Sequence, residues 1–199
     1  MALFNIIMVL WALNKREINI YNLDKMKESA FYMEKAINEL QDYKDNDLGI
    51  ITDYDFIVEK SFGYKLLGGR DSTLKDSLMD EDINSKLSAL NPDLAAVITN
   101  EFISLGLDST SVAAISFTGS YPGANIAVLS ACKTLGIQTI VISSNNASKF
   151  GATDTLFSWF DMQSKLDELD IFQIYFDVYD DTFIAEKRID HYKIDTNDI

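Results

Sequence analysis

Apolar residues recur every three or four positions over residues 23–43: Met26, Ala30, Met33, Ile37 and Leu40. This spacing places them along one side of an α-helix. Asn22 stands just before the pattern, and we expect its side chain to cap the helix. Lysines and glutamates occupy the other side, so the pattern predicts a helix that either connects the N-terminal segment to the globular part or packs on its edge.

The clearest pattern is a strand–turn–helix–strand unit over residues 111–144. Residues 112–117 are apolar or small throughout, which is typical of a strand buried on both faces of a parallel sheet. A turn at 118–123 leads into a predicted helix over 124–135 that ends at Gly136, and a second strand follows at 137–143. Crossovers between parallel strands are nearly always right-handed, so we expect that hand here.

The remaining elements are predicted from shorter signals. Asn91, Pro92 and Asp93 mark the start of a helix over 94–105, which Gly106 ends. Residues 56–58 and 172–176 are apolar runs that each predict a strand, whereas residues 74–90 show no clean period. A polar loop at 145–154 precedes a predicted helix over 156–169, whose inward side chains are expected to be Phe157, Phe160 and Leu166.

Together these elements predict an α/β fold: a Rossmann-like three-layer unit with parallel strands, preceded by an N-terminal apolar segment and a long helix. We divide the chain into a membrane-anchor or signal-like segment (1–16) and an amphipathic helix (17–45). An α/β domain (46–175) follows, and an acidic C-terminal tail (176–199) completes the chain.

Residues 2–13 are apolar except for Asn5. The run is shorter than the roughly 20 residues that a spanning helix needs. It fits the apolar part of a signal peptide, an interfacial helix, a helix of the soluble core or the end of a membrane anchor. No basic residue precedes it and Trp11 and Leu13 are bulky, which disfavours signal cleavage. We favour membrane association through this segment, with the side of the membrane undetermined.

Composition narrows the function classes. The net charge of −14 on 199 residues argues against nucleic acid as a partner, because phosphate binding needs clustered basic side chains. Cys132 is the one cysteine, so no internal disulfide forms, and a small buried thiol is the expected role. The one histidine, His191, lies among charged residues near the C-terminus. The C-terminal carboxylates lack the spacing of a calcium loop, and no metal site is predicted.

Two polar loops follow the two strands of the central unit. Ligands of open α/β sheets bind beyond the carboxyl ends of the strands, which is where both loops are expected to lie. A helix N-terminus also follows the first loop and favours an anion. We therefore predict a site for a carboxylate- or phosphate-bearing ligand that involves Thr118, Gly119, Ser120, Ser144, Asn145 and Ser148.

The turn fits none of the common nucleotide or hydrolase motifs. It lacks the Gly-Lys-Ser/Thr ending of a phosphate-binding loop, the Gly-x-Gly-x-x-Gly pattern and the Gly-x-Ser-x-Gly elbow. A tight turn shaped by Gly119 and Pro122, with no ligand, is the alternative. No cofactor is identified, and no catalytic residue is assigned, because the sequence supplies no base for Ser120 as a nucleophile.

Several segments resemble the bacterial poly-γ-glutamate system proteins. They are AISFTGSYPGANIAVL at 114–129, IVISSNNASKFGATD at 140–154, FSWFDM at 157–162 and SALNPDLAAV at 88–97. The similarity runs in order over most of residues 18–170, and the chain is similar to a shortened member of that family. Residues 177–199 are acidic and lack the Gly-rich segment that follows in the family.

The resemblance implies a membrane-anchored accessory role in the synthesis or export of poly-γ-glutamate, a capsular polymer. The implied partners are other membrane components of that machinery, and glutamate or a γ-glutamyl polymer. Two alternatives remain open: a serine-dependent amide hydrolase or transferase that acts on γ-glutamyl bonds, and a non-catalytic interaction subunit.

Overall fold

The protein has a mixed α/β fold in a computed structural model that describes residues 20–50, 67–68, 81–148, 150–172 and 176–179. Its α-helices in these ranges are α1 (Ile20–Asp42), α2 (Glu81–Ser88), α3 (Asp93–Ser104), α4 (Pro122–Leu135) and α5 (Trp159–Glu168). A π-helical turn, Tyr43–Asp47, continues α1. The strands are β1 (Val112–Thr118), β2 (Gln138–Ser144), β3 (Thr153–Asp154), β4 (Phe157–Ser158) and β5 (Phe176–Tyr179).

The main sheet is parallel, with the order β1-β2-β5. β1 and β2 run in full register from Val112 opposite Gln138 to Thr118 opposite Ser144, and α4 connects them. The predicted strand–turn–helix–strand unit is therefore confirmed. β3 and β4 form a separate antiparallel ladder of two residues each, which closes the second loop after β2.

The prediction that β1 is buried on both faces is wrong. Phe117 is buried, but Val112 on the opposite face is 58% exposed. β2 alternates in the same way: Thr139, Val141 and Ser143 are buried, and the residues between them are exposed. Among the described residues, α4 and α5 contact only the inner face of the sheet. These helices therefore leave the outer face of β1 uncovered, although Val112 and Ala114 on that face are apolar.

Helix α1 forms as its apolar spacing predicts, and Met33, Ile37 and Leu40 are buried. It packs against α3 and α4, so a layer of helices lies behind the two that contact the sheet. Asn22 does not cap the helix, because α1 begins at Ile20 and Asn22 lies inside its first turn. The Asn22 side chain instead donates a hydrogen bond to Asn100 Oδ1 on α3, at 3.4 Å.

Helices α3 and α4 agree with the sequence prediction to within two residues. Gly106 follows α3 with φ of +76°, and Gly136 ends α4 with φ of +70°. Residues other than glycine adopt this left-handed backbone conformation only at a cost in free energy. Helix α2 was not predicted, since eight residues give too few turns for a periodic signal.

The second half of the chain departs from the prediction at its boundaries. α5 begins at Trp159 rather than near residue 156, because Ser158 and Asp161 form a capping box and Phe157 lies in β4. Ser158 Oγ accepts a hydrogen bond from Asp161 N, and Ser158 N donates to Asp161 Oδ2 at 2.9 Å. Of the strand predicted at 172–176, residues 173–175 lie outside the described residues; β5 includes Phe176 and extends to Tyr179, in the range assigned to the acidic tail.

Three expectations fall wholly or mostly outside the described residues: the apolar run at 2–13, the strand at 56–58 and the acidic tail at 176–199, of which only 176–179 are described. Within the described ranges, no helix is long and apolar enough to cross a membrane.

Candidate functional site

The two polar loops meet at the carboxyl edge of the sheet, as the sequence predicts. Thr118 and Ser144 are the last residues of β1 and β2 and stand opposite each other in the parallel register. The first loop then leads into α4, and the second leads into the β3–β4 ladder. The parallel strands thus bring hydroxyl and amide side chains from both loops to one edge.

The backbone of Gly119 joins the two loops. Its N–H donates to the carbonyl of Asn146 at 2.9 Å, and its carbonyl accepts from the N–H of Ala152 at 2.7 Å. A Cβ at this position would stand 3.0 Å from the Cβ of Ala147. Gly119 therefore permits the second loop to approach closely, and its own backbone groups are already paired within the protein.

Two further glycines serve the same packing. A Cβ on Gly123 would overlap the carbonyl of Ala89, which lies just after α2. A Cβ on Gly151 would stand 2.5 Å from the carbonyl oxygen of Gly119. The glycines of this region permit close contacts between backbone segments.

Lys86, on α2, contacts both loops. Its Nζ donates to Ser148 Oγ at 2.8 Å and to the carbonyl oxygen of Ser120, and it lies 3.5 Å from the centroid of the Tyr121 ring. The side chain is buried, with the residue 5% exposed. Sequence reasoning did not assign Lys86 to the site. The signal that could have found it is its place before the Asn91-Pro92 stretch: the resemblance implies a Lys-Arg pair there, which is reduced in this chain to Lys86 followed by Leu87.

The hydroxyls of the first loop are arranged around the turn. Thr118 Oγ1 accepts from the N–H of Ser120 at 3.3 Å. Ser120 Oγ accepts from the N–H of Ser148 at 3.0 Å, so the two serines link the loops directly. Thr118 and Ser148 are exposed, and Ser120 is half-buried. These side chains lie together as predicted, with Ser148 between Ser120 and Lys86.

The second loop contributes an acceptor that has no partner. Ser144 Oγ accepts from the N–H of Asn146 at 3.3 Å. Asn145, the residue between them, has its Oδ1 buried without a hydrogen bond. A buried carbonyl oxygen without a donor costs free energy, so this atom is suited to a donor supplied from outside the chain.

Space near Lys86 is limited. A cavity of about 10 Å³ lies between Lys86, Tyr121, Gly123 and Phe150, with Leu67, Leu90 and Pro122 completing its wall. A volume of this size accommodates roughly one water molecule. A larger ligand does not fit this cavity, whereas Thr118, Asn146 and Ser148 of the two loops are exposed.

Ser120 lacks an adjacent base. Among the described residues, no histidine, lysine or carboxylate hydrogen-bonds to Ser120 Oγ; Lys86 reaches the carbonyl oxygen of the same residue instead. Within those residues, no group of three or more metal-ligating side chains is placed to hold an ion. The described part of the site is a set of hydroxyls, one amide oxygen without a hydrogen bond and a lysine.

A comparison with known protein families, curated proteins and solved structures returns no match for this chain. The resemblance to poly-γ-glutamate system proteins therefore rests on the residues of the motifs alone. Three of those motifs, at 114–129, 140–154 and 157–162, contain the sheet edge, the two loops and the buried residues Phe157 and Trp159 of the core.

Proposed function

We propose that this protein binds a small carboxylate-bearing ligand at the loops after β1 and β2, with glutamate or a γ-glutamyl unit as the ligand. The observation that carries the proposal is the unpaired, buried Oδ1 of Asn145, which directly follows Ser144 at the sheet edge where Ser144 stands opposite Thr118. An amino or amide N–H of the ligand satisfies this oxygen, and the hydroxyls donate to its carboxylate. Gly119, Ser120 and Ser148 hold the loops in position, and Lys86 adds positive charge.

The charge of the protein sharpens this assignment. At a net charge of −14, the average surface repels an anionic polymer. Binding of γ-glutamyl units therefore depends on local donors, and Lys86 supplies the ammonium that contacts both loops. Because the attraction is local and the repulsion is long-ranged, salt screens mainly the repulsion at distances beyond about 8–10 Å.

The wider role we propose is that of an accessory protein in poly-γ-glutamate synthesis or export, anchored to the membrane through residues 2–13. The Rossmann-like assignment of the central unit belongs to the same proposal, and the parallel β1–α4–β2 unit supports it. The gene's neighbours test the process. Ligase and transporter genes of the polymer pathway beside it support the role, and a neighbourhood without them counts against it.

Titration calorimetry of the full chain tests the ligand, with glutamate, oligo-γ-glutamate and ATP as probes. We expect glutamate or oligo-γ-glutamate to bind and Asn145→Ala to weaken binding about fivefold, the usual effect of one hydrogen bond. Asn145 Oδ1 makes no hydrogen bond within the protein, so Asn145→Ala breaks no hydrogen bond of this atom and is expected to fold.

Asn38→Ala is the matched control, since Asn38 is an exposed asparagine on α1 and lies outside both loops. Its affinity is expected to equal that of the unmodified protein. Absence of binding by every probe, on protein that circular dichroism shows to be folded, rejects the ligand proposal. A preference for ATP over both glutamyl probes redirects it to a phosphate ligand.

The second candidate function is hydrolysis or transfer of a γ-glutamyl amide by Ser120. Ser120 Oγ would attack the amide carbonyl, its proton would pass through a base to the leaving amine, and water or an acceptor amine would release the acyl group. The observation in its favour is Lys86, which contacts the carbonyl of the same serine and Ser148 Oγ. Lys86 would need to move to the hydroxyl to act as the base.

Release of p-nitroaniline from γ-glutamyl p-nitroanilide tests this candidate. Ser120→Ala is expected to abolish any turnover, whereas Ser116→Ala, on the exposed face of β1, leaves it unchanged. Protein that binds glutamate and shows no turnover with this substrate supports the binding role alone.

A further inference from the structure

A second cleft lies at the other end of the β1–α4–β2 unit, away from the polar loops. It has a volume of about 200 Å³ and is lined by the C-terminal half of α4, the start of β2 and the segment after α5. Thr139, at its wall, is five residues before Ser144 on β2, which corresponds to about 16 Å along a strand. This cleft therefore does not share the residues of the proposed glutamyl site.

The walls of the cleft present polar and apolar surface in about equal amounts. They are formed by Leu129, Cys132, Ile137 and Phe172, with Thr139 and Lys133 as polar members. Burial raises the pKa of the Cys132 thiol from 9.0 to about 11, so the thiol is neutral at physiological pH. An apolar cavity of roughly 150 Å³ in another protein is known to accept benzene, so a volume of this order suits a molecule with one small ring or a short branched chain.

Thr139 gives the cleft a polar requirement. The residue is 2% exposed, and its Oγ1 is buried without a hydrogen-bond partner. A hydroxyl in this state gains from a ligand that carries one donor or acceptor, and loses nothing within the protein when it forms that bond.

The charge of the ligand follows from the groups around the cleft. The helix dipole places partial negative charge at the C-terminal end of α4, which disfavours an anion. Lys133 disfavours a cation, and its Nζ donates to the carbonyl of Ile171 at 2.6 Å and lies 5.0 Å from the centroid of the Tyr32 ring. We infer that this cleft binds a small neutral alcohol or phenol, with its apolar body against Leu129, Ile137 and Phe172 and its hydroxyl on Thr139.

Phenol is the probe, and benzoate and benzylamine are its charged counterparts of similar shape. Binding to the full chain is followed by amide chemical shifts in heteronuclear NMR. We expect saturable shifts at Leu129, Cys132 and Thr139, and binding of both charged probes at least tenfold weaker than that of phenol. Equal binding of benzoate or benzylamine overturns the assignment of a neutral ligand.

Thr139→Val tests the hydroxyl, because valine keeps the shape of threonine and removes the unpaired oxygen. We expect phenol to bind about fivefold more weakly to this variant. Thr134→Val is the matched control: Thr134 lies on the same helix as Cys132, is buried and also has an unpaired Oγ1, but does not line the cleft. Its phenol affinity is expected to be unchanged.

Three results overturn the inference: no saturable shifts at millimolar phenol, shifts outside the cleft, or equal loss of affinity in both threonine variants. Each is independent of the glutamyl site, because glutamate binding is read from Thr118, Ser144 and Asn145 in the same spectra. Loss of one site with retention of the other therefore identifies which proposal has failed.

Discussion

At the scale of single residues, glycines and one lysine decide how the candidate site is built. Gly119, Gly123 and Gly151 each stand where a Cβ would meet another backbone segment. The sequence shows where glycines lie in the turn, but it does not show what approaches them. The partner of Gly123 is Ala89, which lies 34 positions earlier in the chain, so its role was decided by the tertiary structure.

Gly123→Ala is expected to destabilise the protein by about 3 kcal/mol, since overpacking a tight contact costs roughly 1–3 kcal/mol and the Ala89 carbonyl is backbone that cannot rotate away. Urea denaturation measures the change in the free energy of unfolding. Gly106→Ala is the comparison. No atom lies within 4 Å of its Cβ position and its φ is +76°, so only the backbone cost of about 1–2 kcal/mol remains. Equal losses in the two variants would mean that Ala89 does not hold the turn.

Cys132 gives a prediction for pH. Burial raises the pKa of its thiol from 9.0 to about 11 in the folded protein. The unfolded chain therefore releases this proton first as the pH rises, and the stability that the neutral thiol contributes is lost between about pH 9 and pH 11.

Denaturation of the unmodified protein and of Cys132→Ala across this pH range measures the effect. Subtraction of the two curves removes the titration of lysines and tyrosines, which the two proteins share. As the pH rises from about 9 to 11, the free energy of unfolding of the unmodified protein is expected to fall relative to that of Cys132→Ala. A constant difference would contradict burial of the thiol.

At the scale of elements, the parallel pair β1–β2 and the helices around it follow from local patterns. Residues 112–117 and 137–143 are apolar runs joined by a helix with a glycine stop, and the structure confirms this order. α2 is different. It has eight residues and no strong period, yet it places Lys86 on both loops. Short helices of this kind gain their stability from packing rather than from their own sequence, which is why the sequence prediction missed it.

Lys86→Met is expected to lower the free energy of unfolding by about 2 kcal/mol, since hydrogen bonds to a charged group contribute roughly 1.5–3 kcal/mol and methionine retains most of the apolar stem. Hydrogen exchange of the backbone amides in the two loops is expected to be faster in this variant. Lys165→Met is the control: Lys165 also lies near a tyrosine ring, 4.9 Å from the Tyr43 centroid, but its ion pair with Glu168 is at the surface. A loss equal to that of the control would mean that Lys86 does not hold the loops together.

At the scale of the whole molecule, the sheet has an inner and an outer face among the described residues. Val141 is fully buried, whereas Ile140 and Ile142 on either side of it are 40% and 47% exposed. The inner face packs on α4 and α5, and α1 and α3 lie behind α4. An apolar sequence on both faces predicted burial of both. Only the tertiary structure distinguishes the two faces, because α4 and α5 lie on one side of the sheet.

Val141→Thr and Ile142→Thr compare the two faces with the same introduced residue. Val141→Thr is expected to cost about 1–3 kcal/mol, because it buries a hydroxyl without a partner. Ile142→Thr is expected to cost less than about 1 kcal/mol, since the hydroxyl remains in water and threonine suits a strand. Chemical denaturation of both variants gives the two values. The reverse order would show that the outer face is covered in solution.

The sequence by itself determined the order of the central elements, the carboxyl-edge position of the polar loops and the grouping of Thr118, Ser120, Ser144, Asn145 and Ser148. These follow from local rules: apolar runs form strands, glycine ends helices, and parallel strands bring their following loops to one edge. The tertiary structure decided which groups in those loops are already paired. Gly119 bonds to the second loop, and Asn145 Oδ1 has no partner. The physical reason is that packing decides which groups distant in the chain become hydrogen-bond partners. The packing of α2 brings Lys86 to both loops, and no local sequence pattern indicates that contact.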